Sequence, residues 1–211
     1  PVDSEKIKAR STFNINKNDY CIGYVGRLVQ YKGVTDLIQA VKYINKNFGF
    51  DIHVALVGDG PMLRELSKNY ENNSTISIIG PLLHNDVPLF LKSLDLFVMP
   101  SRILDDHEEH DSHALLEAMS CGVPCLASTS GSNIDVFNGF EKYLFKNDNV
   151  ESLIEYIVKS YKEQKDLDIG DKMREAVVSL YSLGEVAKIN YKVYCKVLSK
   201  YSENSNMKDG R

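Results

Sequence analysis

At 211 residues, 43% hydrophobic and 26% charged, the chain has the size and make-up of one globular domain or at most two small ones. Its net charge of −4 and pI near 5.8 exclude a general nucleic-acid binder, which carries a basic face. No apolar run approaches the roughly 20 residues that span a bilayer, and the four cysteines (Cys21, Cys121, Cys125 and Cys195) lack a paired zinc spacing. Cys121 and Cys125 flank Gly-Val-Pro and read as small buried residues of a reducing compartment.

The first strand signal is YCIGYV (20–25), apolar at most positions, as in a strand covered by helices on both faces. It leads into Gly26-Arg27 and then Lys32-Gly33, ahead of an amphipathic stretch at 34–47. The glycines let backbone approach a ligand closely, while Arg27 and Lys32 offer one forked and one compact cation to a diphosphate. In a bare loop the same residues are simply solvated charges. A second strand, IHVALV (52–57), runs through Gly58-Asp59-Gly60-Pro61 into an amphipathic stretch at 61–71. The dinucleotide fingerprint needs a third glycine where Leu63 stands, and it should follow the first strand. A nicotinamide enzyme is therefore rejected, and a tight turn closed by proline accounts for most of the motif. The third strand, TISII (75–79), ends at Gly80-Pro81-Leu82, with a helix expected at 86–93.

A fourth strand at 94–99 opens the densest stretch of the chain, PSRILDDHEEHDSHALLEAMSCGVPCLAS (100–128). Glu109 and Glu117 stand in it with seven residues between them. The spacing predicts a polar loop and then a short helix that opens at Asp111 or Ser112, both good N-cap residues, and stops at Gly122 before Pro124. Such a helix start aims unpaired N–H groups above the strand ends and suits an anion. The two carboxylates are better placed to accept from sugar hydroxyls, so the expected ligand is part sugar and part phosphate. Residues 105–111 with His113 are rich in metal-ligand types. However, His107 and His110 are three apart rather than the four of a zinc helix, and no metal site is expected. A fifth strand at 123–127, a weaker one near 142–145 and a helix at 150–164 follow, and the polar end SENSNMKDGR is expected to fray. Alternating strands and helices imply an α/β fold, a doubly wound parallel sheet of Rossmann-like type, which binds ligands beyond the carboxyl ends of its strands.

Five segments in register carry a family resemblance: GYVGRLVQYKGVTDLIQAV (23–41), VALVGDGPMLREL (54–66), ISIIGPLLHNDVPLFLKSLDLFVMPS (76–101), the Glu109-x7-Glu117 run with its AMSCGVP, and YSLGEVAKINYKVY (181–194). The chain resembles the retaining GT-B glycosyltransferases of the family 4 type, glycosyl transferases group 1. PVDSEKI at positions 1–7 is similar to the entry into that family's second domain. The resemblance implies that residues 1–200 are the nucleotide-sugar donor-binding domain, one half of a GT-B fold, with 201–211 a flexible tail. It implies a hexosyltransferase activity that builds a surface glycan or glycolipid and is weak in this half alone, because the acceptor binds to the other domain.

The donor-binding set implied by the resemblance is Gly26, Arg27, Lys32, Gly58, Pro81, Leu82, Glu109, His110, Asp111, Ser112, His113, Ala114, Leu115 and Glu117. Arg27 and Lys32 would stabilise the departing diphosphate, Glu109 would hold the sugar hydroxyls, and Glu117 would accept from the ribose. The family route is a front-face displacement in which the leaving phosphate takes the acceptor proton, without a protein nucleophile. Two and three residues after Glu109 the family has a Phe-Gly or glycine-rich step where this chain has Asp111 and Ser112, which puts donor identity and activity in question. No cofactor and no metal are implied. The expected partners are a UDP- or GDP-linked sugar and an acceptor domain. The expected location is the cytoplasm, at the inner face of a membrane if the full enzyme associates with one peripherally. The rival readings are a non-catalytic nucleotide-sugar-binding module, a GT-B sugar-nucleotide epimerase that turns over without an acceptor, and a phosphorylase, for which no pyridoxal lysine motif is present.

Overall fold

The computed structural model describes residues 4–104, 112–163 and 168–206, with side chains described to residue 199. Six strands carry the domain: β1 (Tyr20–Val25), β2 (Ile52–Val57), β3 (Ile76–Gly80), β4 (Leu96–Met99), β5 (Cys125–Ser128) and β6 (Leu144–Phe145). All pair in parallel in the order β3-β2-β1-β4-β5-β6. Sheet growth therefore reverses between β1 and β4, and a crevice opens there beyond the strands' carboxyl ends. Every residue of β2, β4 and β5 is buried, in keeping with their continuous apolar runs. The fourth strand begins two residues later than the sequence suggests, because Asp95 is drawn into an ion pair at the strand's lower edge.

The described helices are α1 (Ser4–Thr12), α2 (Val34–Phe48), α3 (Leu63–Tyr70), α4 (Val87–Lys92), α5 (His113–Ser120), α6 (Asn133–Val136), α7 (Val150–Lys162), α8 (Ile169–Tyr181) and α9 (Leu183–Asn206). In α2, Val34, Leu37, Ile38, Val41 and Ile44 recur at helical spacing and are all buried. The helix stops at Gly49, whose left-handed backbone lets its N–H donate to the Asn45 carbonyl. α2 packs with α7, and α1, α4, α5 and α8 form a second run of neighbours. α8, which lies between the predicted helix at 150–164 and the closing segment, buries Met173 and Val177 and packs on α5.

α1 shows little periodic apolar signal and is held chiefly through polar contacts, with Arg10 at their centre. Arg10, 4% exposed, donates to the Ser93 carbonyl at 2.9 Å and the Lys17 carbonyl at 2.8 Å and, through its third nitrogen, to the Asp95 carboxylate. The same carboxylate accepts from Lys6 at 2.6 Å and from the Cys21 N–H at 2.7 Å, fastening α1 to the amino ends of β1 and β4. Cys21 and Cys125 are buried and Cys121 is half-buried; burial raises all three thiols and keeps them protonated. Cys195 is exposed on α9.

The carboxyl-terminal segment differs from expectation. Helix α9 continues through Asn206, so the tail expected at 201–211 begins as helix, and only residues 207–211 lie outside the described ones. Every side chain from 186 to 199 is exposed, including Ile189, Val193, Tyr194 and Val197. No described helix is long and apolar enough to cross a membrane.

Candidate functional site

Three loops meet above the carboxyl ends of β1, β2 and β3. The Gly26 N–H donates to the Val57 carbonyl (3.0 Å), the Leu28 N–H to the Asp59 carbonyl (2.8 Å), and the Gly58 N–H to the Gly80 carbonyl (2.9 Å). Each loop is thereby stitched to the next. A Cβ at Gly58 would fall 1.8 Å from the Gly26 carbonyl oxygen, so only glycine permits this approach. The loops enclose a cavity of about 460 Å³ whose lining includes Gly26, Arg27, Gly58, Asp59, Pro81 and Leu82. Tyr24 donates its hydroxyl to the Arg27 carbonyl at 2.9 Å and fixes the backbone, while the exposed Arg27 guanidinium has no partner among the described residues. Lys32 is half-buried, its ammonium 5.7 Å from the centre of the Tyr31 ring.

Across the switch point stands a second wall, the segment following β4. Gly33 packs against it so closely that a Cβ there would lie 1.9 Å from the Pro100 carbonyl oxygen. The Arg102 N–H donates to the Tyr31 carbonyl at 2.7 Å. The Arg102 guanidinium forks onto Asp36 in the first turn of α2, with Nε at 2.6 Å, and lies 3.8 Å from Asp148. These hydrogen bonds raise the Arg102 pKa above its ordinary value.

α5 begins at His113, with Ser112 at its N-cap position. The hydroxyl expected to cap the helix does not do so. Ser112 is buried and donates to Asn133 Oδ1 at 2.7 Å, within reach of the Ser132 hydroxyl at 2.9 Å. Asn133 in turn donates to the Ser128 carbonyl (3.2 Å), and Ser128 to the Ser101 carbonyl. This buried chain anchors the helix start from below, and the Ser112 hydroxyl does not cap the helix. Serine in place of the family's glycine therefore turns inward here. One turn along, Glu117 is half-buried, and its carboxylate has no partner among the described residues. Burying an unpaired carboxylate is unfavourable, so the position is suited to a ligand donor.

Of the residues singled out from the sequence, Gly26, Arg27, Gly58, Pro81 and Leu82 converge on one cavity. Lys32, Ser112, His113, Ala114, Leu115 and Glu117 belong to the adjoining loop and to α5 and do not line it. The Leu115 side chain is fully buried, so only its N–H can address a ligand. Glu109, His110 and Asp111, together with the rest of the acidic His-rich run that prompted the metal question, lie outside the described residues. Sequence reasoning missed Asp36, Arg102, Ser128 and Asn133. Their pairings span loops far apart in the chain and leave no local spacing; the polar run STSGSN (128–133) after a strand was the one available cue.

A somewhat larger cavity, about 500 Å³, opens at the opposite, amino end of β1, β4 and β5. Asp95, Lys6, Lys92 and Glu5 at its mouth are already paired with one another or with Arg10. The smaller cavity, with an unpaired cation at its edge, is the better site for an anion.

A doubly wound sheet with an anion-suited crevice at its switch point defines a Rossmann-like ligand-binding domain, here in the form of one half of a GT-B fold. The chain belongs to the glycosyl transferases group 1, whose family model matches residues 5–177. It is 32% identical over 174 residues to a UDP-Gal:α-D-GlcNAc-diphosphoundecaprenol α-1,3-galactosyltransferase of Escherichia coli, covering 80% of this chain and 43% of that one. It is 30% identical to protein CapJ of Staphylococcus aureus over 83% of this chain and 45% of CapJ. Among solved structures, HepE of Anabaena in complex with UDP-glucose superposes over 93% of this chain and 53% of its own, at a TM-score of 0.74 and 21% identity. The chain spans about half the length of the curated relatives it matches.

Proposed function

We propose that this domain binds a nucleotide diphosphate sugar, with UDP the favoured nucleotide, for transfer of the sugar with retention to a glycan or lipid-linked acceptor. The observation that carries the reading is a cation, Arg27, on one wall of the crevice and a half-buried carboxylate, Glu117, on the other, neither with a side-chain partner among the described residues. A nucleotide sugar carries the matching groups: diphosphate oxygens for the first, ribose hydroxyls for the second. UDP is favoured because the Escherichia coli galactosyltransferase is named for UDP-Gal and the HepE complex holds UDP-glucose.

In this reading Arg27, Lys32 and the α5 pole neutralise the diphosphate as the glycosidic bond breaks, acting where charge develops. Glu109 steadies the sugar hydroxyls, and Glu117 accepts from the ribose. The departing phosphate receives the acceptor's proton, so retention needs no covalent sugar–enzyme bond. The acceptor surface is supplied outside these 211 residues, in keeping with relatives about twice as long, and the domain alone transfers sugar poorly. The complete enzyme works in the cytoplasm at a membrane face, where a lipid-linked acceptor is presented. It acts without a metal or other cofactor.

Calorimetric titration with UDP, GDP and ADP, with and without EDTA, tests this reading. Selective binding of UDP that is insensitive to EDTA is the expected result; no binding of any diphosphate would sink it. In the same assay Glu117→Ala is expected to weaken UDP binding about 10- to 100-fold, the scale of a lost hydrogen bond to a charged group, while the melting temperature stays put. Unchanged affinity with a lowered melting temperature would make Glu117 a structural residue.

A further inference from the structure

The pairing of Arg102 with Asp36 is a fixed feature of the crevice that the proposed chemistry does not use. Asp36 is the acid in the first turn of α2, three residues past Gly33 and on the same wall as Lys32. A carboxylate beside a helix start and a phosphate-binding loop repels a diphosphate unless it is neutralised. Arg102 comes from the other wall, directly after β4, and meets Asp36 through two guanidinium nitrogens, the geometry that a fork provides and a lysine does not. Its own N–H holds the Tyr31 carbonyl, next to Lys32. The Asp36 side chain is only 10% exposed and that of Arg102 25%, so the pair is partly shielded from screening by solvent. Among the described residues the other charge near it is Asp148 at 3.8 Å, which is 45% exposed and more weakly coupled.

We infer that Arg102 is a positioning residue for the donor: it ties the wall after β4 to the phosphate loop and masks the Asp36 carboxylate from the incoming diphosphate. The inference rests on the donor-site reading above and adds a determinant of how tightly the diphosphate, as opposed to the nucleoside, is held. It also fits the position of the pair at the switch point. The two walls belong to strands adjacent in the sheet but far apart in the chain, and the tie fixes the gap between the cation-bearing loop and the stretch directly after β4.

The test is a set of titrations of the chain with UDP and with uridine, for wild type, Arg102→Ala, Arg102→Lys, Asp36→Asn and the double variant Arg102→Ala/Asp36→Asn. Arg102→Ala is expected to lower UDP affinity about tenfold through the unmasked Asp36 charge, with uridine affinity within about twofold. Asp36→Asn removes the charge that needs masking and keeps an acceptor for the fork, so UDP affinity should hold or rise. The double variant should bind UDP better than Arg102→Ala alone, and Arg102→Lys should fall between wild type and Arg102→Ala.

A purely structural pair gives a different pattern: Arg102→Ala and Asp36→Asn both lower the melting temperature, and UDP and uridine lose affinity in parallel. That result, or unchanged UDP affinity in Arg102→Ala, would overturn the inference while leaving the donor reading intact. Wild-type protein that binds no nucleotide would overturn the donor reading, and the inference with it. If Arg102→Ala does not fold, the sign for Asp36→Asn decides: a loss of UDP affinity counts against masking.

Discussion

Changing Arg27 and Lys32 together to alanine is expected to weaken UDP binding about 100-fold or more, because each removes a charge-assisted contact worth about 1.5–3 kcal/mol. Uridine affinity should change little, since neither side chain addresses the nucleoside in the proposed pose. For Arg27→Ala alone the melting temperature should be nearly unaffected. Arg27 is exposed and its guanidinium stabilises nothing among the described residues, while the backbone of its loop is held by the Tyr24 hydroxyl and by the Leu28–Asp59 and Gly26–Val57 hydrogen bonds. Equal losses for UDP and uridine would show that the pair shapes the pocket and does not hold phosphate. Arg27→Ala alone should produce the larger single effect, because Arg27 borders the cavity and Lys32 does not.

A second large effect is expected at Gly33, and Gly49 supplies its control. Both glycines have φ of 67°, the left-handed region where a side chain costs about 1–2 kcal/mol. A Cβ at Gly49 meets nothing within 4 Å, whereas one at Gly33 would fall 1.9 Å from the Pro100 carbonyl oxygen, which is backbone and cannot swing away. Gly49→Ala is therefore expected to cost about 1 kcal/mol. Gly33→Ala should cost about 3 kcal/mol or more, once the overlap is relieved by pushing the two walls apart. For a domain of this size that is a fall in melting temperature of about 6–12 °C for Gly33→Ala against about 2–4 °C for Gly49→Ala. Thermal unfolding of the two variants side by side measures the difference, and equal shifts would mean that the walls are not in firm contact. UDP affinity should fall in Gly33→Ala alone, because the contact it breaks sits between Lys32 and the segment that leads to α5.

The fold was legible wherever a segment's own pattern matches its burial. The strands at 20–25 and 52–57 appear as predicted, because parallel strands covered on both faces must be apolar throughout. The helix at 34–47 is visible in its stripe from Val34 to Ile44, ending one residue late against Gly49. Helix α1 was not legible, since its stability comes from Arg10 reaching Asp95, a partner 85 residues away. The start of α5 was half legible: Ser112 is at the N-cap position as expected, yet its hydroxyl serves Asn133. A hydroxyl takes the strongest acceptor within reach, and which acceptor that is depends on tertiary packing. Composition marked 201–211 as polar, and by itself it does not show that the helical hydrogen bonds of α9 continue to Asn206.

By itself, then, the amino-acid sequence determined the class of sheet, the family, and the loops from which the crevice is built, because strand periodicity, glycine placement and the clustering of cations and carboxylates are local properties. The tertiary structure alone decided how those loops face one another. Parallel order with its reversal between β1 and β4 set the loop after β1 against the segment after β4. That placement created the Gly33–Pro100 contact and the Arg102–Asp36 pair and left the Arg27 guanidinium at the rim without a partner among the described residues. Contacts of this kind join residues some 66 positions apart, and only the packed sheet brings them within reach of a hydrogen bond.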